Sequence, residues 1–190
     1  MKIPDILTLE EQIALLEQPN PRYYTGQRNH AILRLLLDSG LRVAEVTSLK
    51  WHDFDLLTGK MQVKQGKKGR DRTLWVGERT LETLQKWRKR QANEAYRAPS
   101  YVFTTIEGGH LSPRYVQQMV KRYRERAGID KQVTPHTLRH TFATEILRET
   151  ENIRLVQKAL GHSCLSTIQI YTHMVDEEME TALKNFRKTA

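Results

Sequence analysis

Six side chains in this chain have the types needed to open a phosphodiester without a metal ion: Arg42, Lys67, His136, Arg139, His162 and Tyr171. They lie in the fragments SGLRVAE, QGKKGRDR, TPHTLRH, LGHS and IQIYTHM. A phenol can attack phosphorus, and cationic or N–H donors can hold the charge that grows on the nonbridging oxygens. An ammonium is a mobile proton donor whose acidity responds to cationic neighbours.

Each of these residues also has a plainer reading. Arg42 can fork two phosphate oxygens and keeps its charge, but a surface arginine paired with Glu45, three residues on, has the same local sequence. His136 and Arg139 are spaced to share one helix face, while Leu138, Phe142 and Ile146 form another stripe that can anchor the helix. Arg139 is then a second oxygen clamp, and His136 stabilises charge or assists proton transfer. The plain alternative for His136 is a partly buried histidine with a local hydrogen bond. Lys67 sits in a glycine-flanked turn beside Lys68 and Arg70, where ordinary contact with phosphates is the rival role. His162 is either an oxygen donor or a helix-cap histidine. Tyr171 is one of seven tyrosines. Zinc is conceivable on His136, His140, His162 and His173, but Cys164 is the only thiol and no H-E-x-x-H occurs. Arginines beside the histidines would also repel a cation, so neither a metal nor a cofactor is expected.

The elements that must position these groups are mostly helices. Thr8-Leu-Glu-Glu11 reads as a capping box opening a helix to about Leu16. A second helix runs from about Thr25 to Ser39, with Ile32, Leu35 and Leu36 as its apolar stripe and Gly40 as its stop. A short helix begins near Arg42. Residues 60–64 and 72–76 alternate as two strands of a hairpin whose turn holds Gly66 and Gly69. A helix follows from about Glu78 to Asn93, then a short third strand at 101–103. Ser112-Pro113 and Thr134-Pro135 each open a further helix, the second reaching about Arg148. Asn152 caps the next helix, which ends at Gly161. A short helix holds 167–171, and a last one starts at Asp176 with Met179, Leu183 and Phe186 at helical spacing. The fold class is α+β, mainly α, with a small antiparallel β-sheet.

Lys and Arg number 31 against 22 Asp and Glu over 190 residues, a formal net charge of +9. That excess favours a polyanionic partner, since contacts to phosphates release condensed counterions. The basic side chains Lys64, Lys68, Arg70 and Arg72 on the hairpin, and Arg114, Lys121 and Arg122 on the Ser112 helix, are candidate DNA-backbone contacts. A single cysteine excludes an intramolecular disulfide and suits a reducing compartment. No apolar run approaches the length of a membrane span, and the first residues do not resemble a signal peptide. A cytoplasmic location and no membrane partner are expected.

SGLRVAE, HTLRHTFAT and LGHSCLSTIQIYTHM together resemble the catalytic domain of the tyrosine recombinases, the phage-integrase and Xer-like family. The resemblance implies the whole architecture, with residues 1–190 as one catalytic domain and 176–190 as a tail helix; the departure is at the front, where family members generally carry an N-terminal core-binding domain that is expected to be absent from this sequence. It implies that Arg42, Lys67, His136, Arg139, His162 and Tyr171 are catalytic, with Tyr171 the nucleophile and Glu45 supporting Arg42. Lys67, by this resemblance, protonates the departing 5′ oxygen, and a 3′-phosphotyrosine links protein and double-stranded DNA. Four protomers would exchange strands on DNA, and a free monomer would be allowed. The tail stripe of Val175, Met179, Leu183 and Phe186 would dock on a neighbouring protomer or on its own domain. Two other readings are a type IB topoisomerase, which relaxes supercoils as a monomer, and a noncatalytic DNA-binding module descended from a recombinase. A relaxation assay separates the first, and a covalent adduct assay the second.

Overall fold

The computed structural model of this chain describes residues 5–64, 71–95 and 99–161. Within them the elements run α1 (Leu9–Glu17), α2 (Tyr24–Ser39), α3 (Val43–Ser48), a 3-10 turn (Trp51–Asp53), β1 (Lys60–Val63), β2 (Arg72–Trp75), α4 (Glu78–Glu94), α5 (Pro113–Arg126), α6 (Pro135–Thr150) and α7 (Ile153–Leu160). The architecture is mainly helical with one two-stranded antiparallel sheet, as the sequence pattern implies. The expected turn at Gly66 and Gly69, the 167–171 helix and the 176–190 helix lie outside the described residues.

The helix starts form by local chemistry. Thr8 and Glu11 make a reciprocal capping box, with Glu11 N–H donating to the Thr8 hydroxyl at 3.3 Å and Thr8 N–H donating to Glu11 Oε2 at 2.8 Å. Ser112 and Asn152 accept the third-residue N–H of α5 and α7 through their side chains. Thr134 does the same for α6, whose first residue is proline.

α2 is the central helix. It packs against α1, α3, α4 and α6, and its Ala31, Ile32, Leu33, Leu35 and Leu36 are fully buried. A buried polar network ties it to α5. Arg28 donates to the Thr104 carbonyl at 2.8 Å and to the Tyr115 hydroxyl, and Asn29 donates to the Tyr123 hydroxyl at 3.0 Å. A second, smaller apolar cluster joins α6 to α7 through Ala143, Leu147, Val156 and Leu160, with Phe142 touching both clusters.

The third strand expected at 101–103 does not form. Tyr101 makes an isolated bridge to Lys50, and Val102 N–H donates to the Leu49 carbonyl at 2.8 Å. The 3-10 turn that begins at Trp51 curls the partner segment away, so the ladder cannot extend. Val102 and Phe103 are fully buried, and the Trp87 indole N–H holds the Val102 carbonyl at 2.7 Å. Burial, not strand pairing, explains their apolar run.

Candidate active site

Arg42 stands at the N-cap of α3, two residues after the C-cap of α2. The turn between the helices depends on Gly40, whose φ of 58° lies in the left-handed region and whose N–H donates to the Leu36 carbonyl at 3.1 Å. A Cβ there would also run into the ring of Phe142 on α6. Glycine is required both by backbone angle and by the close approach of α6.

Glu45, at the third position of α3, is the hub of the site. Its Oε2 accepts the Arg42 N–H at 2.7 Å and its Oε1 accepts the Arg42 guanidinium at 3.1 Å. The Arg72 guanidinium forks the same carboxylate, Nη1 to Oε1 at 2.8 Å and Nη2 to Oε2 at 2.9 Å. Burial pushes the Glu45 carboxyl up. The hydrogen bonds and charge of Arg72, then those of Arg42, more than reverse this, so it lies below the ordinary glutamate range. One ionised carboxylate between two guanidiniums leaves this cluster with excess positive charge. The Arg42 side chain is 32% exposed, while that of Arg72 is only 7% exposed.

Arg139, one helical turn after His136 on α6, is buried. Its guanidinium donates to the Gly40 carbonyl and, at 2.7 Å, to the Leu160 carbonyl. The Nε of Arg72 donates at 2.7 Å to the preceding carbonyl, that of Ala159. The last carbonyls of a helix lack intrahelical partners and carry partial negative charge, so two arginines capping α7 are favourable on both counts. The same two arginines bind the end of α7 to the loop carrying Arg42. LGHS begins at Leu160, so the described part of that fragment is drawn into the cluster.

The remaining sequence candidates fall into groups. His136 is exposed, although it shares its helix with buried Arg139. Lys64 pairs with the buried Asp53 carboxylate at 2.6 Å, and His52 lies 3.2 Å from the same oxygen. Arg114, Lys121 and Arg122 are exposed on α5, with Val116, Met119, Val120 and Tyr123 on its buried side. Arg122 lies 5.3 Å over the Tyr123 ring. Lys67, Lys68, Arg70, His162 and Tyr171 lie outside the described residues.

Sequence reasoning grouped Arg72 with surface cations and missed its place beside Glu45. Strand alternation holds the signal. Met61 and Val63 face the core, and in register Val63 pairs with Arg72 and Met61 with Leu74. Arg72 therefore occupies an inward position of β2, and an inward charge requires a buried partner.

Two histidines make stability depend on pH. His140 is held below the ordinary imidazole value by burial first, then by the His136 and Arg139 charges. Burial also lowers His30, against the partial opposition of a 2.8 Å hydrogen bond from its Nδ1 to the Leu16 carbonyl, and the Arg34 charge adds to the lowering. The unfolded chain takes up these protons near pH 6.5 while the folded chain resists, so stability falls as pH drops below about 6.5. The lowered Glu45 acts in the same direction at lower pH, once its unfolded form begins to protonate near pH 4.3. The urea midpoint is expected to be lower at pH 5.5 than at pH 7.5, before the carboxylates contribute much. Equal midpoints would exclude the two histidines as the cause.

Among the described residues no helix is long and apolar enough to cross a membrane. Residues 6–178 match the phage integrase family. A tyrosine recombinase XerC of Xanthomonas axonopodis pv. citri is 39% identical over 173 residues, which cover 91% of this chain and 55% of that relative. A tyrosine recombinase XerD of Staphylococcus haemolyticus is 35% identical over all of this chain and 64% of its own length. The crystal structure of XerA recombinase superposes with a TM-score of 0.83 at 31% identity, covering 98% of this chain and 66% of that one. That of XerH site-specific recombinase bound to palindromic difH substrate, a post-cleavage complex, gives 0.81 at 28%, covering 98% and 54%. The chain thus spans between about half and two thirds of the length of these relatives. With the family matched over most of its length and the fold shared with these recombinases, the chain belongs to the phage integrase family, as a tyrosine recombinase catalytic domain.

Proposed function

We propose that this chain cleaves and rejoins double-stranded DNA at specific sites, with Tyr171 attacking the scissile phosphate to form a 3′-phosphotyrosine bond. The observation that carries this reading is the convergence of three sequence-distant fragments. Arg139 hydrogen-bonds Gly40, two residues before Arg42, and Leu160, two residues before His162. The SGLRVAE and TPHTLRH fragments thereby meet the Leu160 end of α7, and this meeting supports a reading in which they serve a single reacting phosphorus.

In the reaction the Tyr171 oxygen bonds to phosphorus and the bond to the 5′ oxygen breaks. Arg42, Arg139 and His162 hold the charge on the nonbridging oxygens, and exposed His136 assists proton transfer from the phenol. Lys67 gives its proton to the departing 5′ oxygen. A 5′ hydroxyl of a partner duplex then attacks the phosphotyrosine and gives up its proton, the bond from phosphorus to the Tyr171 oxygen breaks and the phenol is reprotonated, so bond energy is kept without ATP. Arg114, Lys121 and Arg122, exposed along α5, suit contact with the DNA backbone. Solved relatives such as XerH are bound to their DNA substrate, which supports DNA as the partner here. Strand exchange would engage four protomers.

A nicked suicide duplex tests the proposal. Covalent protein–DNA adduct is expected, and four protomers are expected on a paired duplex by native gel. Lys67→Ala should form adduct poorly on normal DNA and recover when sulfur replaces the 5′ bridging oxygen, because that leaving group needs little protonation. Rescue of Lys68→Ala instead would move the role to Lys68. Tight DNA binding with no adduct would favour the noncatalytic reading, and monomeric relaxation of supercoils would favour the topoisomerase one.

A further inference from the structure

We propose that Arg72 is a positioning residue of this site, holding the Arg42 guanidinium through Glu45 and the end of α7 through the Ala159 carbonyl, and does not contact DNA phosphate. The inference rests on the DNA-cleaving reading and specifies a role that reading does not contain.

Both terminal nitrogens of Arg72 sit on Glu45, one on each carboxylate oxygen, at 2.8 and 2.9 Å. A fork of this kind fixes the plane of the carboxylate as well as its distance. Once the plane is fixed, each oxygen is aimed at a donor of Arg42: Oε1 at the guanidinium, 3.1 Å away, and Oε2 at the backbone N–H, 2.7 Å away. An arginine–glutamate pair three residues apart on a helix with a part-exposed partner is directional only weakly by itself. The buried fork from Arg72 supplies the missing direction.

Two more observations place Arg72 at a junction. Its Nε donates to Ala159 at 2.7 Å, next to the Leu160 carbonyl held by Arg139. It pairs in register with Val63, so it also anchors the end of the hairpin nearest residues 64–71. One guanidinium thus joins α3, β2 and α7. To reach a phosphate it would have to leave both Glu45 and the Ala159 carbonyl and expose the ionised carboxylate without its strongest counterion. Arg139 is also buried but is held by neutral carbonyls; Arg72 differs in that both its terminal nitrogens engage an ionised carboxylate.

The test uses the full chain on the suicide duplex, comparing wild type with Arg72→Lys and Arg72→Met. At saturating DNA, single-turnover cleavage is expected to fall about tenfold to a hundredfold, the scale of loss when a reacting group is misplaced. DNA affinity and its salt dependence should stay unchanged. The acid limb of the Arg72→Met rate profile should move to higher pH, because Glu45 loses the partner that most lowers its carboxyl. In a Glu45→Gln background, the loss from Arg72→Lys should be smaller than in the wild type, since the part of its action that runs through the carboxylate is already gone and only the part through Ala159 remains. In Arg72→Met a phosphate contact would give the opposite result, weaker affinity, a salt slope reduced by about one and an unchanged saturated rate, and in Arg72→Lys it would leave the saturated rate unchanged. That result would overturn the proposal, as would fully multiplicative effects in the double variant. Should Arg72→Met fail to fold, Arg72→Lys decides alone, because it keeps the charge and the stem. Absence of adduct from the wild-type chain would sink the cleavage reading and this role with it. Wild-type adduct with an undiminished Arg72→Lys rate would sink only the role.

Discussion

Tyr171→Phe is expected to remove covalent DNA attachment below detection while leaving DNA binding intact. The substitution deletes one oxygen and preserves the ring, so only a role that needs the hydroxyl is affected. Tyr115 and Tyr123 are already committed to the fold. The Tyr115 hydroxyl lies in the Arg28–Asn29 network, and that of Tyr123 accepts from Asn29. Moving either out to a phosphate would cost the buried hydrogen bonds of α2 and α5. The measurement is a denaturing gel of protein with suicide duplex, alongside a native gel for binding. An adduct that persists in Tyr171→Phe would remove the assignment, and mapping the linked peptide would then identify the true nucleophile.

The second large effect belongs to Arg139. Arg139→Ala should slow saturated single-turnover cleavage by about 10²–10³, the scale seen when one preorganised donor to a developing oxyanion is lost. It should also destabilise the fold, since the Gly40 and Leu160 carbonyls lose their buried donor. Each carbonyl left unpaired costs about 1–3 kcal/mol unless water enters. Arg139→Lys separates the two losses. Its ammonium retains charge at the end of α7 but is not a planar fork, so much of the stability should return while cleavage stays slow. Urea midpoints and single-turnover rates on the same preparations read both quantities. Normal cleavage by Arg139→Ala would take this residue out of the site. A rate restored in step with stability in Arg139→Lys would reduce its role to packing.

How much of this was readable from the chain depends on how local each cause is. The capping box at Thr8, the proline-led starts of α5 and α6, the glycine stop at Gly40 and the two-strand hairpin each arise from residues within a few positions of one another. The pairing of Arg42 with Glu45 is of the same kind, a contact across one helical turn. The candidate fragments could be recognised for the same reason, since each is a short run of residues. The run at 101–103 misled because full burial and strand pairing both select apolar residues, and sequence periodicity cannot separate them.

Tertiary structure alone decided where the charges go. Arg72 looks in sequence like its exposed neighbours, and only the packing of β2 against α3 and α7 delivers it to Glu45 and Ala159, 27 and 87 residues away. His136 and Arg139 share a helix, yet the approach of α2 and α7 buries one and leaves the other in solvent. α7, with eight residues, is too short to be stable alone. Its place depends on Val156 and Leu160 entering the core and on two arginines capping its carbonyls. Short-range order determined the parts of this protein. The meeting of buried charge with distant carboxylate and carbonyl partners determined the site, because an ion leaves water only where the folded chain has already gathered groups to receive it.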